Sequence, residues 1–417
     1  MDSKYLNQSV DVLIVGGGPA GLMAATELIR YKCTIRILDT MPSVGRKFLM
    51  AGKSGLNITS SNSDVIERYG EFRDWIAPII EKFGPNDIMQ FCQSLGQEII
   101  FGSSGKVFPK CMKSSPLLRV WLTNLVRQGV EIHTSSRWLD FDKKTNSATK
   151  NNRITNIVRS NNVSYPIISK ATILALGGAS WSRLGSDGKW YNILRNYLQT
   201  SKNSLVPFAP ANAGFKIRWS RHMMKFEGIP VKSVTVKING IAKKGEFVVT
   251  RTGIEGGVIY LFSTMEKGET DKLEVDLMPD VSLLTIAKKL DRNSRKSTLT
   301  NFLRKSLGLT GVKFALLREF AYPYPETTLE FARIIKNLEL RLDGNYSIDF
   351  AISTKGGVAT EAVNNGLMLY DLPNVFCAGE MLNWSAPTGG YLLTGCFATG
   401  SHVGKSVAKY LNLKLIA

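Results

Sequence analysis

Histidine, cysteine and acidic residues are scarce in this chain, and each shortage narrows the chemistry. Three histidines stand far apart in 417 residues, without metal-ligand spacing. The five cysteines, Cys33, Cys92, Cys111, Cys377 and Cys396, are scattered and odd in number, and none forms a CxxC. That pattern excludes a disulfide framework or a paired redox dithiol and fits free thiols in a reducing cytoplasm. No apolar run approaches the ~18 residues of a membrane span. The opening MDSKYLNQSVDV lacks a basic segment followed by an apolar one, so no signal peptide is expected. The expectation is a cytoplasmic protein with no membrane partner. No Ser-His-Asp set or paired-carboxylate site is evident.

Acids are outnumbered 34 to 53, giving a net charge of +19. Such a balance suits nucleic acid, an anionic cofactor or substrate, or simple solubility. Hydrophobic content of 44% is that of an ordinary globular protein long enough for two or three modules.

The chain opens with VDVLIVGGGPAGLMAATELIRYKCTIRILDT. Val12 to Val15 reads as a buried parallel strand, Gly16 to Gly21 as a tight turn, Leu22 to Arg30 as a helix, and Thr34 to Leu38 as a second strand ending at Asp39. This is the context a GxGxxG dinucleotide fingerprint requires. Gly16 permits the turn, Gly18 lets backbone approach a pyrophosphate, and Gly21 lets helix pack on strand. Pro19 and Ala20 complete the turn at a helix N-terminus that favours negative charge. Asp39 would accept from a ribose hydroxyl, with Thr40 beside it, and would disfavour a 2′-phosphate.

Gly45 to Ser61, GRKFLMAGKSGLNITSS, has little periodicity and reads as a loop shaped around a ligand. Arg46 and Lys47 are candidates to neutralise diphosphate charge. Gly45, Gly52 and Gly55 would allow close approach, and Asn57 and Thr59 offer hydrogen bonds. Further on, Asp64 to Leu95 reads helical, Ser115-Pro116 opens a helix, and Val130 to His133 and Trp138 to Phe141 read as strands. Asp142 to Tyr165 reads as a polar hairpin, and Ala171 to Leu176 as another apolar strand.

From about Trp190 short β-like runs begin. Val281 to Phe320 then reads helical, with Lys288, Lys289, Arg292, Arg295, Lys296, Arg304, Lys305, Lys313 and Arg318 against Asp291 and Glu319. Two readings stay open there: a solvated helical face, or a surface for an anionic partner such as RNA. Asn374 to Ala378 is a strand leading to Gly379-Glu380, and a glycine-rich loop then enters a C-terminal helix. The expected organisation is a discontinuous nucleotide-binding domain over 1–190 and 345–417, a β-rich subdomain over 191–280 and 321–344, and a basic helical subdomain over 281–320.

In order, VGGGPAGLMAA with Asp39, GRKFLMAGKSGLNIT, GKVFPKCMKSSPLLRVWL, ILALGGASWSRLGSDG, GGVATEAVN and LPNVFCAGEMLNWSAPTGGYLLTGCFATG resemble the BaiN/RdsA-like family of bacterial flavoproteins. The likeness is strongest to the subgroup with a GRKFLMAGKGGLN pattern. It implies an α/β fold: a Rossmann-like FAD-binding domain of the glutathione reductase type, interrupted by a β-barrel-like and helical insertion. It implies non-covalent FAD, hydride transfer, and NADH or NADPH as transient reductant. Its ADP half would use Gly16, Gly18, Gly21 and Asp39, with adenine near Trp138. Ala175 and Gly177, in ALGG, would close over the dinucleotide. Glu380, after Gly379, would hold a ribityl hydroxyl. Gly389, Gly390 and Tyr391 would set backbone amides and a helix N-terminus beside the flavin pyrimidine. Family members include synthases of dihydrouridine in ribosomal RNA, so a uracil base is one implied substrate and a small molecule the other. A non-enzymatic flavin- or RNA-binding scaffold is a third reading. The RNA-linked branch carries Arg-Cys-Asn where this chain has Gly55-Leu56-Asn57, so that cysteine is missing as proton donor. Lys47, Lys53 and Cys396 remain as candidates for the role.

Overall fold

A computed structural model describes residues 8–53, 55–142, 153–198, 203–263, 272–291 and 298–416. The basic residues Arg292, Arg295 and Lys296 lie outside the described residues, as does the 143–152 part of the expected hairpin. The chain forms two compact units. The first runs to Ala209 and resumes at Ser353, and the second is Pro210–Ile352.

In the first unit, β1 (Gln8–Val15), β2 (Ile35–Leu38), β6 (Glu131–His133), β7 (Ser136–Phe141), β8 (Ile154–Ser160), β9 (Val163–Leu174) and β18 (Val375–Cys377) make one sheet. Its order is β6-β2-β1-β9-β8-β7, with β18 also on β9. On the edge away from β1, β9 serves two partners along its length. β8 pairs antiparallel with residues 163–169, and β18 pairs parallel with Thr172 to Leu174. The parallel strands are apolar on both faces: Val12, Leu13, Ile14, Ile37, Ile173 and Val375 are all fully buried. Helices α1 (Pro19–Leu28), α2 (Arg46–Ala51), α3 (Arg73–Ile80), α4 (Pro85–Ser94), α5 (Ser114–Arg127), α6 (Trp190–Leu194) and α11 (Tyr391–Tyr410) belong to this unit. So does a small sheet of β3 (Thr59–Ser60), β5 (Lys106–Pro109) and β4 (Ile99–Phe101).

Parallel register brings Val15, Leu38, Leu174 and Cys377 to one edge. The pairing then runs one residue further. Gly16, Asp39, Ala175 and Ala378 donate backbone amides to the carbonyls of Leu38, His133, Val15 and Leu174 at 2.8 to 2.9 Å. The turns after four separate strands are thereby held side by side.

The second unit carries a six-stranded antiparallel sheet ordered β11-β14-β13-β12-β15-β16. These strands are β11 (Phe215–Lys216), β12 (Pro230–Ile238), β13 (Ile241–Thr250), β14 (Gly253–Glu255), β15 (Lys272–Asp276) and β16 (Leu338–Arg341). Helices α7 (Leu283–Asp291), α8 (Leu299–Leu307), α9 (Gly311–Phe320) and α10 (Thr328–Lys336) bury Ile286, Leu303, Leu316 and Ile335 in the same core as Val234, Val236 and Val275. β-rich and helical parts therefore share one core, where sequence patterning separates them. The unit boundaries also lie later than 190 and 345. The reason is a strand pair in which β10 (Leu205–Ala211) lies against β17 (Ser353–Val358).

Candidate functional site

The four strand-end turns frame a cleft of about 1030 Å³, open solvent included. Among the residues expected at a dinucleotide site, Gly16, Gly18, Pro19, Ala20, Asp39, Thr40, Gly45, Arg46, Lys47, Trp138, Ala175, Gly177, Gly379 and Glu380 line it.

The glycines of the first turn differ in what surrounds them. Gly16 has φ +112°, and a side-chain carbon there would meet the Ala175 carbonyl oxygen at 2.1 Å. One on Gly21 would meet the Gly16 carbonyl oxygen at 2.0 Å. Both are closed by protein, through sheet contact and helix packing. Gly18 meets nothing within 4 Å. It is the N-cap of α1, with Pro19 following and no side chain capping the first turn. Backbone donors at a bare helix start, with no side chain in front, suit an anion and in particular a diphosphate.

Asp39 accepts from Gly17 N at 3.1 Å and Met41 N at 2.8 Å. Burial raises its pKa, while these two amides and the nearby Arg46 pull it down. Trp138 is buried and donates Nε1 to Asn156 Oδ1 at 3.2 Å. Arg137, beside it on the cleft wall, pairs with Asp187 at 3.1 Å. Trp190 donates Nε1 to the Gly177 carbonyl at 2.9 Å and fixes that turn from behind. Sequence reasoning missed Trp190, Ser186, Asp187 and Ser180. The GSDGKW run held the signal for three of them, since a turn followed by an aromatic anchor marks a shaped loop.

Lys47 Nζ lies 2.6 Å from Glu380 Oε2 and 2.6 Å from the buried Ser180 Oγ. Glu380 also accepts from Thr354 N at 3.0 Å and Gly178 N at 3.4 Å. Both Glu380 oxygens are thus engaged by protein, and Lys47 has a carboxylate partner. Cys396 lines the same wall. Burial, with the Glu380 carboxylate beside it, pushes its thiol up to about 12. Lys53 is exposed.

The Gly45 to Ser61 stretch is more ordered than a loop. It contains α2 and β3, and Ser54 lies outside the described residues. Its glycines face protein. A side-chain carbon on Gly45 would meet Leu118 at 2.8 Å, on Gly52 the Ser114 hydroxyl at 2.5 Å, and on Gly55 Met112 at 2.9 Å. They let α2 and the following chain lie flat against α5 and its approach. Asn57 Oδ1 is likewise engaged, accepting from Val107 N at 3.2 Å.

Gly55, Asn57, Gly389, Gly390 and Tyr391 lie outside the lining of the strand-end cleft. Gly389, Gly390 and Tyr391 form the start of α11 instead, beside Thr59. A side-chain carbon on Gly390 would sit 2.5 Å from the Thr59 backbone. Thr59 and Thr394 hydroxyls are 2.8 Å apart, and Tyr69 Oη donates to the Tyr391 carbonyl at 2.7 Å. Gly390 is the N-cap of α11, with no side-chain cap and no acid in the first turn.

The two helix starts are related by packing. Gly400 approaches the backbone of Ala20, and Gly404 that of Ala24, so α1 and α11 run parallel. α11 begins nine residues before Gly400 and α1 one residue before Ala20, so the start of α11 lies about 12 Å beyond that of α1 at 1.5 Å per residue. Two bare helix N-termini therefore face the same way, one behind the other. An extended dinucleotide with a phosphate centre and a second electron-rich centre fits this spacing. Among the described residues, no cluster of side chains could hold a metal ion, and no helix is long and apolar enough to cross a membrane.

The family described as HI0933-like protein Rossmann domain matches residues 10–406. A 3-dehydro-bile acid delta(4,6)-reductase of Clostridium scindens is 25% identical, over 95% of this chain and 98% of that protein. A ribosomal RNA dihydrouridine synthase of Haemophilus influenzae is 21% identical, over 93% of this chain and 95% of that protein. Among solved structures, the open conformation of a flavocytochrome c3 fumarate reductase aligns at TM-score 0.52 and 15% identity, covering 97% of this chain and 79% of that one. A 3-ketosteroid delta1-dehydrogenase from Sterolibacterium denitrificans aligns at TM-score 0.52 and 10% identity, covering 97% and 100%. The chain belongs to the HI0933-like Rossmann-domain family, and its fold is the Rossmann-like FAD-binding one.

Proposed function

We propose that this member of the HI0933-like family is an FAD-dependent oxidoreductase acting on a carbon–carbon double bond conjugated to a carbonyl. The observation that carries the cofactor half is the pair of parallel, uncapped helix starts, one at the strand-end cleft and the other beyond it along the same direction. Gly16 would set the turn that lets the Gly18, Ala20 and Gly21 amides at the start of α1 face the diphosphate. Asp39 and Thr40 would hold the adenosine ribose, with Arg46 and Trp138 beside it. Ala175, Gly177, Gly379 and Glu380 would border the ribityl chain. Gly390 and Tyr391 would turn the positive end of α11 toward the ring, with Gly55, Asn57 and Gly389 around them. Bound FAD supplies hydride chemistry, and NADH or NADPH is the proposed source of its electrons.

The substrate half rests on chemistry common to two relatives. A 3-dehydro-bile acid with a delta(4,6) system and a uracil base both present a double bond conjugated to a carbonyl. A uracil in ribosomal RNA and a small conjugated ketone are the two candidates. For RNA, the basic segment at 281–320 offers Lys288, Lys289, Arg304, Lys305 and Arg318 as exposed cations. Lys313 is excluded from that role, because its ammonium is tied to the Ser233 and Leu277 carbonyls at 3.0 and 2.7 Å. The free thiols suit the reducing cytoplasm proposed for the protein.

The test is to purify the protein, check for the yellow flavin chromophore, and incubate it with NADH or NADPH. Unmodified ribosomal RNA and a steroid dienone are offered in parallel, and mass spectrometry looks for a gain of two hydrogens. Colourless protein that takes up no FAD overturns the cofactor. Reduction of neither substrate overturns the substrate class. If RNA is the substrate, a Lys288/Lys289/Arg304/Lys305 alanine variant should bind it more weakly. Its salt dependence should be shallower by roughly 0.7 in log–log slope for each phosphate that the variant no longer neutralises.

A further inference from the structure

We infer that Lys47 and Glu380 act as one charge-compensated unit that sets how the site holds FAD in its two redox states. The inference rests on the FAD reading above. Lys47 is on α2 and Glu380 follows β18, 333 residues later, yet their charged atoms are 2.6 Å apart. Their side chains are only 26% and 13% exposed. The ammonium also reaches Ser180, and the carboxylate takes the amides of Thr354 and Gly178. The pair joins four chain segments on the wall of the cleft, and both residues line it.

A carboxylate on that wall would repel a diphosphate, and more strongly a reduced, anionic flavin. Lys47 cancels that charge at hydrogen-bond distance, so the net charge presented by the pair is close to zero. Removing either partner alone leaves the other partly buried and uncompensated, which is costlier than losing both. The sign of the leftover charge then decides the consequence. Lys47→Met leaves a negative charge and should disfavour the reduced form. Glu380→Gln leaves a positive charge and should favour it. Glu380→Gln keeps an oxygen for the Thr354 amide, so the packing of the wall is little changed. These are positioning residues, acting through the field they place on the cofactor.

The experiment reconstitutes wild type, Lys47→Met, Glu380→Gln, the double variant and Lys47→Arg with FAD. It measures the FAD dissociation constant by flavin fluorescence and the two-electron midpoint potential by dye equilibration. Lys47→Met should weaken FAD binding about tenfold or more. A tenfold change in the relative affinity of the two redox states appears as ~30 mV, downward in Lys47→Met and upward in Glu380→Gln. The double variant should return toward wild type, as coupled neighbours do, and Lys47→Arg should match wild type. Shifts of the same sign in both single variants, or a double variant whose midpoint potential stays displaced from wild type, overturn the inference and leave the FAD reading standing. Wild type that binds no FAD overturns both. Thermal melts identify any variant that fails to fold, and Lys47→Arg against Lys47→Met then decides the matter at one position.

Discussion

The Ala20 carbonyl oxygen lies 2.4 Å from the point where Gly400 would carry a side-chain carbon. Here α1 and α11 touch backbone to backbone, and Gly404 repeats the approach one turn later, 2.8 Å from the Ala24 carbonyl. Gly400→Ala must push the helices apart. The expected loss is about 1–3 kcal/mol, typical of overpacking a tight core. Urea unfolding of the cofactor-free protein measures it, and an unchanged midpoint would show that the helices separate freely.

Gly16 and Gly18 stand two residues apart and should respond in opposite ways. Gly16→Ala places a methyl group on the Ala175 carbonyl in a left-handed backbone region, so it should lower the melting temperature whether or not FAD is present. Gly18→Ala meets open space at φ −83°, an ordinary conformation. Its cofactor-free melting temperature should match wild type, while FAD affinity falls about tenfold or more. Loss of stability without loss of affinity in Gly18→Ala would contradict the assignment of this position to the ligand.

Asp39 gives a pH dependence whose sign follows from burial. Its folded pKa is raised above the ordinary 3.8, chiefly because burial penalises the charge. The stability it contributes is fully present below 3.8 and is lost as pH rises through the higher folded value. Wild type measured against Asp39→Asn should therefore lose relative stability across that acidic window in urea melts. FAD affinity should move oppositely, increasing through the same window as the carboxylate becomes able to accept from a ribose hydroxyl. A flat affinity profile would separate Asp39 from the ribose.

The cysteines should differ sharply in reactivity. Cys111 is exposed, whereas burial pushes the Cys92 and Cys396 thiols up to about 12. Thiolate is the reactive form. Iodoacetamide at neutral pH should label Cys111 first and leave Cys396 unmodified in folded protein, as read by peptide mass spectrometry. Rapid labelling of Cys396 would mean that the cleft opens readily.

The first strand, turn and helix were legible because a buried parallel strand is a continuous apolar run and a glycine turn is local. So were the β18 strand and the glycine turn into α11. α2 was not, since six residues with one buried side chain, Phe48, leave no periodicity to read. The Lys47–Glu380 pair was invisible for a different reason. A pairing across 333 residues depends on β18 joining β9, and nothing near either residue announces it. The protein neighbours of Gly45, Gly52 and Gly55 were not legible, because a bare backbone looks the same in sequence whether a ligand or another helix approaches it. The second unit's single core was hidden too. Helices α7 to α10 each show an apolar face, but the face alone does not say which sheet covers it.

The placement of β18 against β9 has a consequence for biosynthesis. Gly177 and Gly379 lie on one cleft but about 200 residues apart, which at ~5–20 residues per second is roughly 10 to 40 seconds of translation. During that interval β1, β2 and β9 can exist with their first glycine turn in place, while the wall bearing Glu380 and the start of α11 has yet to be made. A nascent chain would hold half a cofactor site with the edge of β9 uncovered at Thr172 to Leu174. The segment from β18 to α11 closes the sheet and completes the cleft when it emerges, so cofactor capture reports that both halves of this unit have folded.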